Sequence, residues 1–583
     1  MKNISYGRFI LSLAGFAIVL CALTLCARAQ VTTGSILGTV KDNSGSAVKG
    51  AKVTVTDLAR SATTSYTTDD AGDYNAPFLI PGAYSVAVEA QGFKKAVINN
   101  VVIQIDQKAR IDFNLEIGQL AEVAEITAAT TLVKTESSEL GEVIEERAVK
   151  ELPLNGRNFA QLVYLTPGVT PGQSGENLSG ASTFNPRASS NFNALGHHAN
   201  SNGWIIDGID NNEYTFNTVI IQPTVESVRE FKALTGTFSA EFGRGAGVVV
   251  VSTKSGSNDF HAGLFEFLRN DKLDAFQHQF VNPRPAQKPP FKRNQFGGYF
   301  SGPLSIPKVY SGKNRTFIFA DYEGLREVRG QTFVNSVPTA KMRTGDFSEL
   351  LGANLCTNAA GTAGACGGAF NAPLMVTDTN GRNIQARVGM IFDPLTTRKN
   401  LDVKSLPISA ANPDILRSAF AGNVIPSARI NQVGFNVASI YPLPQGPGVT
   451  NNYTSVVNRR AQSDAFTARI DHEFSERDKF FARYSFEDYS LDAPQGQASC
   501  CLPTPDFAKA KFDLGPFVAG IQDTTLRTQG LALNHTHTFS PALLLELRLG
   551  FARTNPRTVQ SDFGHAAASS LGIQGINISD FTT

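Results

Sequence analysis

The sequence predicts a mainly β protein with an N-terminal β-sandwich, an α/β unit and part of an antiparallel transmembrane β-barrel. Three observations carry this prediction. Residues 31–116 contain short alternating runs of β-branched residues separated by turn signals. Segments 464–489 and 529–555 each hold two longer alternating runs joined by a brief polar turn. No run of about 18 apolar residues follows Ala29, so a membrane-embedded part would have to be a closed barrel.

Length and charge restrict the class of protein before any motif is considered. The 583 residues predict several domains, because single cores stop growing at about 250 to 300 residues. Lys and Arg total 52 against 51 for Asp and Glu. Nucleic-acid binding requires a basic surface, and this even balance of charge does not indicate one. We therefore expect no nucleic-acid partner.

The first 29 residues predict a signal peptide. Lys2 and Arg8 precede a long apolar stretch, and "ARAQ" offers a cleavage site after Ala29. An uncleaved membrane anchor is the alternative, because the apolar stretch is long for a signal peptide. Either way, the chain is expected to be exported.

Residues 31–116 predict a small antiparallel sandwich, because their strands alternate with turns such as "NSGSAVKG" and "TDDAGDY". "GTVKDNSGSAVKGAKVTV" followed by "TTDDAGDYNAPFLIPGAYSVAVEAQGF" resembles the carboxypeptidase regulatory-like domain, a transthyretin-like sandwich. No histidine has a glutamate three positions later, and His472-Glu473 lacks the second histidine of an HExxH motif. We therefore expect no enzyme, no catalytic residues, no cofactor and no metal.

The next two segments change in character. Residues 117–150 are acidic and poor in aromatics, which predicts a linker that becomes helical near 142–150. The segment 151–255 predicts a compact α/β unit, with a helix at 157–165 and strands near 203–209 and 247–253. The order of these elements resembles the plug domain of TonB-dependent outer-membrane receptors, particularly the Oar-like branch, which carries the same sandwich in front.

This resemblance implies an outer-membrane receptor with a periplasmic sandwich and a TonB-type energy-transducing partner. It would contact lipid and import a small molecule, oligosaccharide or peptide that the sequence does not identify. A surface structural or adhesion protein without active transport is the alternative. The segment "AEVAEITAA" resembles a TonB box, which must be extended and unpaired to add to a partner's sheet edge. An ordinary acidic linker is the other interpretation. The candidate partner-binding residues are Glu122, Val123, Ala124, Glu125, Ile126 and Thr127.

Residues 256–583 predict a partial barrel interrupted by a long loop at 340–455. In both late hairpins apolar side chains such as Phe466, Ile470 and Leu545 alternate with polar ones. A soluble sandwich would alternate as well. However, a run of about eleven residues at 464–474 is near the 9 to 11 that cross a bilayer, which favours lipid. Too few residues remain for the roughly 22 strands of a plugged transporter, so a fragment or a shortened chain is expected.

Three smaller patterns complete the prediction. Cys356 and Cys366 flank "TNAAGTAGA" and are a candidate disulfide in an oxidising exterior. The acids Asp207, Asp210 and Glu213 lack EF-hand spacing, so a turn is favoured over a calcium site. The sequence offers no account of the adjacent Cys500 and Cys501.

Overall fold

The computed structural model describes most of the chain. The described residues are 33–118, 123–127, 138–172, 192–198, 201–214, 218–242, 245–275, 288–401, 408–410, 412–494, 521–540, 543–560 and 567–575. The expected signal peptide, Glu122, Cys500 and Cys501 lie outside them. Among the described residues, no helix is long and apolar enough to cross a membrane.

The first unit is a two-sheet sandwich. Its strands are β1 Gly34–Asp42, β2 Lys52–Asp57, β3 Ala62–Thr67, β4 Asp73–Leu79, β5 Gly82–Glu89, β6 Lys95–Ile103, β7 Lys108–Arg110 and β8 Phe113–Leu115, and β9 Val123–Thr127 joins them. One sheet has the order β4-β1-β7, with β8 also paired to β1, and the other has the order β3-β2-β5-β6-β9. Alternate side chains of the strands, including Ile36, Val53 and Val86, are fully buried between the sheets. Alternation of period two thus produces the core, as the sequence predicts.

The central unit, residues 138–254, contains short elements around a five-stranded sheet. They are β10 Leu140–Ile144, α1 Glu146–Glu151, a 3-10 helix Phe159–Leu165, β11 Val169–Pro171, β12 Phe192–Ala194, β13 Gly203–Ile206, β14 Ile209–Asp210, β15 Asn212–Glu213, β16 Thr218–Val219, β17 Val228–Gly236, a 3-10 turn Ala240–Phe242 and β18 Val248–Thr253. The sheet order is β10-β17-β18-β13-β14.

The core of the central unit combines aliphatic side chains with a group of aromatic rings. Trp204 is 2% exposed and meets the rings of Phe159 and Phe192 edge-on, at centroid distances of 6.1 and 5.9 Å.

The linker prediction for 117–150 is wrong at its end, because residues 140–144 pair with β17 as an edge strand of this sheet. The acidic composition of this segment did not indicate a strand, and the partner strand β17 lies almost a hundred residues later in the chain. The predicted helix at 157–165 is a 3-10 helix that begins at Phe159, after the Asn158 N-cap.

The remaining residues form a large sheet and an insertion. The strands are β19 His261–Asn270, β20 Phe291–Pro303, β21 Thr316–Asn335, β22 Leu355–Thr357, β23 Ala363–Ala365, β24 Ala372–Pro373, β25 Met375–Thr377, β26 Asn383–Gln385, β27 Arg398–Lys399, β28 Ile415–Leu416, β29 Tyr453–Glu473, β30 Asp478–Pro494, β31 Ile521–Ser540 and β32 Leu543–Gln560. The α-helices are α2 Ala340–Arg343, α3 Gln432–Ile440 and α4 Ala567–Ser570. Further 3-10 turns are Ser348–Leu350, Pro394–Thr396, Ala421–Asn423 and Ser427–Arg429.

We call the sheet β19-β20-β21-β29-β30-β31-β32 the wall, and all of its neighbouring strands are antiparallel. Strand β29 has 21 residues, so the predicted length of about eleven is wrong. The strand starts at Tyr453, so its first three residues fall within the predicted loop 340–455. Residues 453–463 are mostly polar and lack regular apolar alternation, so the sequence signal covered only the second half of the strand.

The two faces of the wall differ as predicted. Arg469, Asp471 and Arg483 are buried on the inner face, which packs against the central unit. Phe466 and Leu545 are 39% and 44% exposed on the outer face. Polar-in, apolar-out alternation of this kind is typical of outer-membrane barrels and opposite to that of a soluble core.

The outer face is apolar over only part of its height. From Phe466 to Phe474, the residue directly after β29, the outward positions cover about 27 Å along the chain. At a strand tilt of about 40° this is about 21 Å of height, close to the apolar band of about 25 Å in such barrels. The exposed ion pair Arg326–Asp464, at 2.9 Å, lies directly beyond this band. A second exposed pair, Arg527–Asp488 at 3.0 Å, lies at the same level. These charges mark where the apolar band ends.

The insertion between β21 and β29 is folded. The sequence predicts a long loop at 340–455, and the structure shows short strands and helices among the described residues of 336–452. Asn423 donates to the carbonyl oxygens of Phe347 and Gly389, and Arg429 makes an ion pair with Asp393. Cys356 and Cys366 form a disulfide bond within it, with their Cα atoms 4.9 Å apart.

Candidate coupling strand and buried ion pairs

The sandwich is docked onto the central unit through the loop after β6. Ile105 is 1% exposed and packs with Ile205 and Leu234 of the central sheet. Its backbone N–H donates to a carboxylate oxygen of Glu230. An apolar anchor and a buried hydrogen bond therefore hold the two units together.

A buried lysine reinforces this docking. The ammonium of Lys232 lies 2.7 Å from Asp106 Oδ2 of the sandwich and 2.8 Å from Glu139 Oε2. Burial raises the pKa of Asp106 to about 6, although the charge of Lys232 acts in the opposite direction.

Glu230 makes the docking sensitive to pH. Burial raises the pKa of Glu230 from its ordinary value of 4.5 to about 7, although the hydrogen bond from Ile105 lowers it. Because the pKa of Glu230 is higher in the folded state than in the unfolded state, its contribution to the free energy of unfolding is complete below pH 4.5. This contribution is lost as the pH rises to about 7.

We expect the free energy of unfolding of the wild type to fall by about 1 kcal/mol per pH unit in this window relative to that of Glu230→Gln, measured by urea unfolding. Gln keeps the oxygen that accepts from Ile105. The control Glu142→Gln changes an exposed residue of β10 and should follow the wild-type profile. Identical profiles for the wild type and Glu230→Gln would contradict the prediction.

Arg60 ties the sandwich to the wall. This side chain is buried, donates from Nε to the carbonyl oxygen of Gly256 at 3.3 Å and lies 3.7 Å from Asp471 of β29. Asn258 donates to the carbonyl oxygen of Arg60 at 2.7 Å. These contacts are near the short turns of the wall, at the end opposite to the insertion. The sandwich thus closes that end.

The tip of the β13–β14 hairpin inserts into the wall. Asp207 and Gly208 have φ of +49° and +79°, as the two central residues of a type I′ turn require. Position 208 favours glycine because its φ is positive, and a Cβ there would also have to displace the guanidinium of Arg548. "DG" in the sequence predicts the turn correctly, but not what the turn contacts.

Asp207 bridges two arginines of the wall. Its carboxylate lies 3.3 Å from Arg469 Nη1 and 2.7 Å from Arg483 Nε, and it accepts from the backbone N–H of Thr253 at 2.9 Å. Arg469 also makes a two-point pair with Asp471, at 2.9 and 3.0 Å. All four charged groups are at least 95% buried. The alternation of the late hairpins puts both arginines among their polar side chains, but no sequence signal indicates Asp207 as their partner.

A second buried pair lies at the other end of the central unit. Arg157 contacts Glu226 of its own unit at 2.9 Å and Glu323 of the wall at 3.2 Å. Its guanidinium lies over the rings of Phe265 and Phe267, at 4.3 and 4.6 Å. These two phenylalanines therefore face inward, and Leu264, which interrupts the apolar alternation of β19 in the sequence, is 93% exposed on the outer face.

The candidate coupling residues lie at the edge of the sandwich. Val123 to Thr127 form β9, which pairs in parallel with Lys95 to Asn99 of β6. The expectation of an extended segment fits this arrangement, but the segment is paired along one side, not unpaired. The strand is the last in its sheet, so its other side faces no further strand among the described residues.

The other acids that the sequence singled out are structural. Asp210 of β14 accepts from the backbone N–H of Asn212 at 3.1 Å, and Glu213 lies in β15. Over the described part of the chain, no three His, Cys, Asp or Glu side chains are grouped so that they could hold a metal ion.

Comparisons with known proteins agree with this architecture. Residues 35–116 match the carboxypeptidase regulatory-like domain, and residues 252–583 match the outer membrane beta barrel domain. The chain is 24% identical to the TonB-dependent transporter Oar of Myxococcus xanthus over 344 residues, which are 57% of this chain and 31% of that protein. It thus aligns with about a third of the length of this relative.

Two solved structures are similar at low scores. The outer membrane transporter YddB of Escherichia coli has 11% identity and a TM-score of 0.39, covering 72% of this chain and 40% of that one. The catechol 1,2-dioxygenase of Acinetobacter radioresistens has 16% identity and a TM-score of 0.13, covering 18% and 56%.

The barrel-domain match includes more than half of the chain and contains all seven wall strands. The chain therefore belongs to the outer membrane beta-barrel domain family and is an outer-membrane protein.

Proposed function

We propose that this chain imports a ligand across the outer membrane and draws the energy from a TonB-type partner that binds β9. In this proposal residues 1–29 are a signal peptide, the sandwich is periplasmic and the central unit is the plug. The observation that carries the proposal is the buried contact between the plug and the polar inner face of the wall. A plug held by ion pairs closes the lumen and can be released by force.

The chain order gives the force a route. Residues 128–139 connect β9 to β10, and β10 is the edge strand of the central sheet. A pull on β9 would therefore reach the plug at an edge, where a strand is held by one neighbour only. The buried pairs of Asp207 and Arg157 are the contacts that this force would have to break.

Recognition would use strand addition. The open side of β9 offers backbone N–H and C=O groups to a partner strand, which gives affinity with little demand on side chains. The parallel pairing of β9 to β6 involves five residues, so a longer partner pairing could also displace it.

A photoreactive amino acid at Ile126 tests the coupling in living cells. We expect a covalent adduct with the energy-transducing protein of the inner membrane, because Ile126 lies on the strand that the partner must contact. The same amino acid at Ser65, exposed on β3 at the opposite edge of the sheet, is the control and should give no such adduct. Equal yields at both positions, or adducts at Ile126 only within the chain itself, would favour an outer-membrane protein without active transport.

A further inference from the structure

We propose that the plugged lumen holds a carboxylate-binding site for the ligand, formed by Arg269 of β19 and Arg293 of β20. The inference names the ligand class and rests on the proposed function in one respect, that the lumen takes up a ligand.

Arg269 and Arg293 are direct cross-strand partners on the inner face. Like charges directly opposite each other destabilise a sheet unless something neutralises them. Arg293 is 6% exposed, and its Nε is buried without a hydrogen-bond partner. The pair therefore leaves cationic donors unsatisfied.

The wall also contains a pair of the same kind with its anion in place. Arg469 and Arg483 are direct cross-strand partners on β29 and β30. The carboxylate of Asp207 enters from the lumen and lies within 3.3 Å of both guanidinium groups. In this wall, a pair of facing arginines is thus neutralised by a carboxylate that contacts both guanidinium groups.

Acids near the Arg269 pair are already engaged. Glu327 contacts Arg293 at 3.2 Å and also pairs with Arg459, so one carboxylate serves two arginines. Arg269 makes a 3.3 Å hydrogen bond to Asn155 and lies over the ring of Phe291, and neither contact neutralises its charge.

Space for a ligand lies next to the pair. A cavity of about 850 Å³ separates the plug loop 149–157 from β19 and β20, and both arginines line it. This volume is within the range of about 300 to 1,000 Å³ for small-molecule sites. The acids that also border it are Glu151, which pairs with Arg147 at 2.8 Å, and Glu266, on the opposite face of β19 from Arg269. The cavity therefore presents an excess of positive charge to a ligand.

Citrate, a small tricarboxylate, is the probe for the test. The full chain in detergent micelles is heated at fixed ionic strength with increasing citrate, and the emission of its single tryptophan, Trp204, reports unfolding. Ligand that binds only the folded state raises the unfolding midpoint according to its affinity. We expect citrate to raise the midpoint of the wild type.

The variant Arg269→Gln should weaken the apparent citrate affinity about tenfold, the effect of losing one charge-assisted hydrogen bond. Arg269 is exposed, so its replacement leaves the fold intact. Arg326→Gln removes an arginine of the outer face and should bind citrate like the wild type. A wild type that does not respond to citrate, or an unchanged affinity in Arg269→Gln, would overturn the inference. These results do not depend on the Ile126 adduct, so the site and the coupling can fail separately.

Discussion

Replacement of Asp207 by Asn is expected to lower the free energy of unfolding of the central unit by about 3 to 5 kcal/mol. Asn has the same size and keeps an oxygen that accepts from Thr253, but it leaves Arg469 and Arg483 opposed without the carboxylate between them. Removing one partner of a buried ion pair costs this much because the remaining charges stay in a medium of low polarity. Urea unfolding in micelles at pH 7 measures the change through Trp204, which lies on β13 three positions before Asp207.

The matched control for this variant is Asp259→Asn, which removes a carboxylate exposed outside the buried ion-pair network. We expect its unfolding free energy to stay within about 0.5 kcal/mol of the wild type. A similarly small change in Asp207→Asn would mean that the hairpin tip does not hold the central unit against the wall.

The second large effect is expected from Ile470→Arg on the outer face of β29. Ile470 has Ile318 and Ala482 as cross-strand neighbours, within the apolar band. An arginine facing lipid near the bilayer midplane destabilises a barrel by about 2 to 4 kcal/mol, because its charge loses hydration. Folding of the chain into lipid vesicles, followed by urea titration, measures this difference.

Gln462→Arg is the control on the same face of the same strand. Gln462 is exposed and lies beyond Asp464, where the outer face has become polar. We expect a change close to zero there. Equal costs at positions 462 and 470 would show that the apolar band does not face lipid.

Sequence patterns gave the right fold class because they report local physical preferences. Turn signals such as "TDDAGDY" and alternating β-branched residues predicted the sandwich. The apolar alternation around Phe466 and Leu545 predicted which side chains of the wall face outward. The same signals failed for strands that lie in acidic or polar segments, because those segments also have the composition of loops and linkers. Residues 140–144, inside the acidic segment 117–150, are a strand of the central sheet, and the polar first half of β29 is a continuous part of the wall.

The sequence by itself determined the kinds of surface in this protein: a sandwich core, an apolar outer face and a charged inner one. The reason is that side-chain direction alternates along every strand, so the pattern of residues fixes what each face can contact. Only the tertiary structure decided which charges meet. Asp207 comes within bonding distance of Arg469 and Arg483, more than 250 positions later, whereas Arg269 and Arg293 face a cavity. Such pairings depend on register and on how the central unit sits against the wall, and both are set by long-range packing that no local pattern encodes.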